Sequence, residues 1–168
     1  MQTALISYTW GRIHWGYDAV YDKTITLFNR YSSRLGDTWY PTVIHNVQLI
    51  ADKSAIIAQY GAESSDKALL HIRYETVDGM PVIAGKPYKT PKEWDRQTND
   101  LLSQTLTFTD GQYFDFFMLG EYESEQPISD DAYTDGFYNY INSNYDNVFA
   151  ITSVGLYSLI PHFEITGK

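Results

Sequence analysis

Six carboxylates stand within one short stretch: Glu121, Glu123, Glu125, Asp130, Asp131 and Asp135, with no lysine or arginine among them. Carboxylates gathered in this way are hard oxygen donors and suit a cation such as calcium. The spacing lacks the Asp-x-Asp-x-Asp-Gly loop closed by Glu that wraps that ion, so the run reads as a solvated loop. A carboxylate pair also serves glycoside hydrolysis, in which one acid is kept protonated. No residue here marks an acid set in an apolar pocket. The four histidines, His14, His45, His71 and His162, are too far apart for a local metal motif, and only folding could gather two of them. His45 and His71 fall within apolar strands, where a histidine more often completes a wall than binds a metal. Gly-x-Ser-x-Gly and Gly-x-Gly-x-x-Gly are absent, and Gly85-Lys86 runs into Pro87, which breaks the phosphate-cradling pattern. With no cysteine there is neither a disulfide nor a thiolate metal site. The expectation is a protein that is not an enzyme and carries no cofactor and no metal.

Aromatic content is the other chemical signal, with 15 Tyr, 8 Phe and 4 Trp in 168 residues. A tyrosine packs as a hydrophobe at one end and keeps a hydroxyl at the other, which suits a surface that is dry on one side and wet on the other. About half of these rings are expected to line a β core. Trp10, Trp15, Tyr17 and Tyr21 near the N-terminus, with Phe137 and Tyr140 later, are the candidates for contacts between subunits. The formal charge of −9 argues against ordinary nucleic-acid binding, which needs cations to displace counterions. It permits DNA to slide past without adhering, because an acidic wall repels phosphate. No apolar run of about 18 residues is long enough to span a membrane as a helix. The start of the chain lacks the basic and apolar regions of a signal peptide.

The elements that must position these groups are mostly strands. Residues 1–22 read as an extended aromatic arm, and residues 23–168 as one β domain. Thr24–Tyr31 alternates, Ser32–Asp37 turns, and Trp39–Ile50 is rich in β-branched residues, so these form a hairpin. Ala51–Tyr60 reads as a strand or a short helix ended by Gly61. Lys67–Tyr74 is a strand, Asp78-Gly79 a turn, and Lys86–Tyr88 a short extended piece. Thr90-Pro91-Lys92-Glu93 opens a helix running to about Gln97, where Thr98-Asn99-Asp100 stops it. Thr105–Thr109 and Gln112–Leu119 are expected to pair across Asp110-Gly111. After the acidic loop 121–135 comes a short aromatic helix, 136–145, for which Ser129 or Asp130 could serve as cap and Thr134 or Asp135 is the stronger choice. Val148–Val154 and Leu156–Ile165 close the fold as two strands around Gly155. Close-set strands with tight turns make the chain mainly β: a small antiparallel barrel or sandwich with one or two short helices and long loops.

Two stretches carry a resemblance. One is Thr24-Ile25-Thr26-Leu27-Phe28-Asn29-Arg30-Tyr31, continued by Thr42-Val43-Ile44-His45-Asn46-Val47. The other is Phe108-Thr109-Asp110-Gly111-Gln112-Tyr113-Phe114-Asp115-Phe116-Phe117-Met118-Leu119-Gly120. Together they resemble the head-to-tail connector proteins of tailed phages of Gram-positive bacteria, in particular the head-closure (stopper) proteins. The resemblance implies a virion protein of the neck, made in the host cytoplasm and assembled as a dodecameric or hexameric ring. Its partners would be its own copies, the portal and adaptor proteins, the tail terminator, and packaged DNA passing without sequence-specific contact, with no membrane involved. Glu121, Glu123, Glu125, Asp130, Asp131 and Asp135 would then form a gating loop in the DNA channel. The acidic loop, the aromatic helix and the ending Ser153–Ile165 depart from that pattern, which leaves the connector layer open. A tail terminator or other tail-completion protein is the alternative, and a carbohydrate-binding β module of a tail tip is a more distant one.

Overall fold

The computed structural model describes residues 20–51 and 67–168. Trp10, Trp15, Tyr17 and most of the expected element at 51–60 lie outside them. Among the described residues the ten strands are β1 (Lys23–Ser33), β2 (Gly36–Ile50), β3 (Ala68–Arg73), β4 (Glu75–Val77), β5 (Met80–Ile83), β6 (Lys86–Pro87), β7 (Phe116–Leu119), β8 (Ile128–Ser129), β9 (Val148–Tyr157) and β10 (His162–Gly167). The helices are α1 (Pro91–Trp94), α2 (Asn99–Gln104) and α3 (Phe137–Asn144).

The main sheet runs β1-β7-β9-β10-β3-β2 and closes on itself, because β1 pairs with β2 as well as with β7. Every pairing in this ring is antiparallel. The protein is thus mainly β and barrel-like, as its sequence indicates. Two long strands bend to serve different neighbours. β2 faces β1 as far as Val47 and then β3 from Gln48 to Ile50. β9 faces β7 from Val148 to Ala150 and β10 beyond that. The bend in β2 coincides with a left-handed Asn46 and a register slip opposite Lys23–Ile25, the mark of a bulge that steers a strand around a corner.

The sheet has two dry faces. Alternate residues of β1 and β7, namely Ile25, Leu27 and Phe117, point into the barrel with Ile44, Leu70, Ile151, Phe163 and Ile165. Their neighbours Phe28, Phe116 and Met118 point outward into a second, aromatic core with Trp39, Phe137 and Ile141. Residues 25–29 are therefore all buried, although their pattern suggests a strand wet on one side. Phe28 stacks on Phe116 at 4.6 Å between ring centroids, and Phe137 meets Phe28 edge-on at 5.4 Å. Such ring pairs add roughly 0.5–1.5 kcal/mol each beyond their buried area.

Four local expectations change. Thr105–Thr109 does not form a hairpin with the following strand. Leu106 and Phe108 turn into the barrel core, and β7 pairs with β1 and β9. Residues 111–113 form a 3-10 turn. The stretch from Thr98 starts a second helix rather than ending the first, since Thr98 provides an extended N-cap and Leu102 a fully buried anchor. β9 runs straight through Gly155, and the reversal comes at residues 158–161, where Pro161 sits in the turn. The Asp78-Gly79 turn is present between β4 and β5. Both its residues have positive φ, as a type I′ hairpin requires.

Segment 105–109 is fixed by a buried polar knot. Asn29 Nδ2 donates to the Thr107 carbonyl at 2.7 Å and to Asp115 Oδ2 at 2.9 Å. Asp115 also accepts from the Arg30 and Thr109 amides, each at 2.8 Å. Asp115 is wholly buried, and that burial pushes its carboxyl up to about 7, against the pull of these donors. The unfolded value is near 3.9, so the folded chain holds this proton more tightly than the unfolded one. The group's contribution to stability is full below about pH 4 and is lost as the pH rises towards 7. Asp115→Asn should flatten the pH dependence of unfolding free energy across that window. Asp115→Ala, which strands several buried donors, should cost at least about 3 kcal/mol in urea denaturation.

Candidate functional site

The acidic segment is more ordered than a solvated loop. It leaves β7 at Gly120, whose amide donates to the Thr24 carbonyl at 2.8 Å. Thr26 Oγ1 then donates to the Gly120 carbonyl and accepts the Tyr122 amide, which binds the segment to the outer face of β1. Further on, β8 pairs with Thr38 and Trp39 of β2. Asp130 is the anchor: its Oδ1 accepts from Trp39 Nε1 at 2.7 Å and from the Phe137 amide at 2.8 Å. Asp130, the weaker of the expected cap candidates, thus accepts the first amide of α3 in place of the stronger Thr134 or Asp135, while Gly136 stands at the N-cap with φ +84°.

The six carboxylates therefore divide. Asp130 is part of the scaffold. Asp131 packs over the β1–β2 turn, where a Cβ on Gly36 would come within 2.6 Å of its Oδ2. Glu121, Glu123, Glu125 and Asp135 stay exposed, with Glu121 3.9 Å from His45 Nδ1. Among the described residues no group of three or more His, Asp or Glu is placed to hold a metal. The aromatic candidates divide as well. Phe137 is 0% exposed inside the second core and is not free to meet a neighbouring subunit. Tyr140 is exposed and leans on Tyr133 at 4.7 Å. Tyr21 lies under the Arg73 guanidinium at 3.8 Å, so that residue of the expected arm is packed against the barrel.

Folding does gather two histidines. His71 and His162 meet edge-to-face at 5.7 Å, with Glu164 Oε2 3.5 Å from His71 Nε2. Gln48 holds His71 Nδ1 at 2.8 Å, and His162 stacks on Tyr157. The group ties β2, β3, β9 and β10 together on the barrel's outer surface.

Composition did not point to the most exposed apolar feature. At the β9–β10 turn Leu159 is 96% and Ile160 71% exposed, and Leu156 and Tyr157 are exposed beside them. Tyr74 braces this hairpin through its hydroxyl on the Tyr157 carbonyl at 2.9 Å. From Asn147 to Pro161 the chain carries no charge. Because neighbouring strands alternate in direction, this turn, the β1–β2 turn with its 94% exposed Leu35, and the buried Asp115 knot share one rim of the barrel. The sequence signal for the tip was a proline-bounded apolar pair, Leu159-Ile160, between two strands.

Residues 20–168 match the model of a family of unknown function, DUF6751. The chain belongs to that family. No curated protein and no solved structure matches this DUF6751 chain. The family match covers all of the described barrel and begins just ahead of β1.

Asp130→Ala removes the acceptor of the Trp39 indole and the cap of α3 together. It should lower unfolding free energy by about 2 kcal/mol in urea titration. Glu123→Gln, on the exposed part of the same segment, should leave it within about 0.5 kcal/mol.

Proposed function

We propose that this protein is a virion structural protein of the phage neck, a head-closure ring subunit that joins portal and adaptor to tail and retains packaged DNA. The supporting observation is the uncharged, apolar β9–β10 tip on the rim of a closed antiparallel barrel. A protein of charge −9 repels its own copies. A contact between copies is least opposed where charge is lacking, and Leu159 and Ile160 hold exposed apolar surface in such a stretch. A closed ring needs two different flanks, since each subunit meets the next head-to-tail. The tip supplies one of them. Sequence resemblance to the stopper proteins in β1, β2 and the 108–120 segment adds to this reading, and so does the strand-dominated fold, because tail terminators are usually α/β.

In the proposed ring, Glu121, Glu123, Glu125 and Asp135 are the carboxylates left to face solvent or a channel, Asp131 lies exposed beside the β1–β2 turn, and Asp130 holds the segment to the barrel. DNA would pass such a surface without binding to it.

The test is a paired substitution at the tip. Leu159→Asp with Ile160→Asp should leave the isolated protein folded, with a near-UV spectrum like that of the parent, because neither side chain belongs to a core cluster. Particles assembled with this variant should lose packaged DNA and fail to join tails. Full DNA retention and normal infectivity would contradict the reading.

A further inference from the structure

A groove of about 690 Å3 lies between the β1–β2 turn, the first turn of α2 and residues 125–129. Tyr31 and Tyr40 line it, and Asp100, Glu125 and the Ser103 and Ser129 side chains stand around them. Asp37 also borders the groove, but it is already paired with Arg30. Among the described residues no lysine or arginine forms an ion pair with Asp100 or Glu125. Lys86 feels Glu125 only at longer range, and its ammonium donates to Thr42 Oγ1 at 2.9 Å instead.

Tyr40 provides an observation independent of the acids. Its ring is packed edge-on against Trp94 at 6.0 Å between centroids, and the residue is only 7% exposed. Its hydroxyl makes no hydrogen bond among the described residues, yet the side chain lines the groove. Burial, and then the nearby Tyr31 phenol, push the Tyr40 hydroxyl above its ordinary range, so it stays neutral. A buried ring therefore presents an unused hydroxyl to a cavity walled by two unpaired carboxylates.

We propose that this groove is a docking site for an arginine side chain carried on an extended segment of a partner protein. A guanidinium brings five N–H donors in a planar fork and no acceptor. The groove offers the complement: its lining includes the Asp100 and Glu125 carboxylates and the hydroxyl-bearing Tyr40, Ser103 and Ser129. Lysine would satisfy the charge but not the fork. A glycan fits less well, because a sugar ring packs on an open aromatic face and Tyr40 shows only its hydroxyl end. The net negative charge of the chain draws a basic partner towards it. This inference stands apart from the neck assignment, since it rests on the groove alone.

The experiment is an amide-shift NMR titration of the full-length chain. The probes are a blocked Gly-Gly-Arg-Gly-Gly peptide, its lysine counterpart and a glucose oligosaccharide. The arginine peptide should shift the amides of Tyr31, Gly36, Ser103, Glu125, Gln126, Ile128 and Ser129 and bind more tightly than the lysine one. Its affinity should fall as salt rises from about 50 to about 300 mM. Asp100→Asn with Glu125→Gln should weaken it by roughly tenfold or more, and Tyr40→Phe should weaken it less, with the remaining amide spectrum unchanged. Glu125→Gln alone serves as the second variant, should the change in α2 disturb folding. Shifts outside the groove, equal binding by the double variant, insensitivity to salt, or groove shifts from the oligosaccharide alone would overturn the proposal.

Discussion

One buried carboxyl holds the barrel's rim together. Asp115 accepts from β1 through the Arg30 amide and Asn29 and from the 105–109 segment through the Thr109 amide. Its own carbonyl accepts the Ile151 amide of β9 at 2.9 Å. Asn29 in turn holds the Thr107 carbonyl. The knot secures the far half of this segment, while Leu106 is held at the near end by backbone bonds with Pro87 and Lys89 and Thr105 by Gln97 and the Leu101 carbonyl. The same rim carries the β1–β2 and β9–β10 turns.

The second constraint is the double use of β1 and β7. A strand buried on both faces needs a cover on its outer side, and the 121–148 segment provides it with Tyr122, Tyr133, Phe137 and Ile141. That cover uses three of the 15 tyrosines, Tyr122, Tyr133 and Tyr138. These rings close the aromatic core at its margin, where Tyr122, Tyr133 and Tyr138 are each half-buried and burial pushes the Tyr122 and Tyr138 phenols up. Asp130 locks the cover to Trp39, so the acidic segment is strapped to the barrel at its start and at its far end, and its free carboxylates stand between and beyond those points. If this surface meets a partner, as proposed above, the contact costs little ordering, because most of it is already fixed.

Legibility in the sequence followed the range of the interactions. The β1–β2 hairpin, the β3 strand, the Asp78-Gly79 turn and the α1 start are set by neighbours within a few residues, and their alternation or turn chemistry shows in the chain. The aromatic helix α3 was also visible, and Asp130 was among its candidate caps, but the local pattern favoured Thr134 or Asp135 because Asp130 reaches Phe137 from seven residues upstream. The 105–109 segment has the apolar alternation of a strand, yet its partner is a core and a polar knot that join residues 78 and 86 apart in sequence. No local pattern encodes that. Phe137 and Tyr140 look alike as exposed-helix aromatics, and only the packing of the second core separates the buried ring from the exposed one. The acidic residues behaved similarly: nothing in their spacing distinguishes Asp130, an anchor, from Glu123, a solvated charge. The groove at Tyr31 and Tyr40 draws on three distant segments and left no trace in sequence.

A mainly β barrel with two dry faces, a braced apolar tip and a strapped acidic segment has the properties of an assembly part. The measurement that addresses this most directly is an electron cryomicroscopy reconstruction of the particle that carries the gene, with density in the neck resolved well enough to trace a barrel. The account predicts a ring of this chain between the adaptor and the tail, with the Leu159-Ile160 turn buried against the next subunit or layer. A neck complete without it, or the chain located at the tail tip with that turn in solvent, would contradict the account.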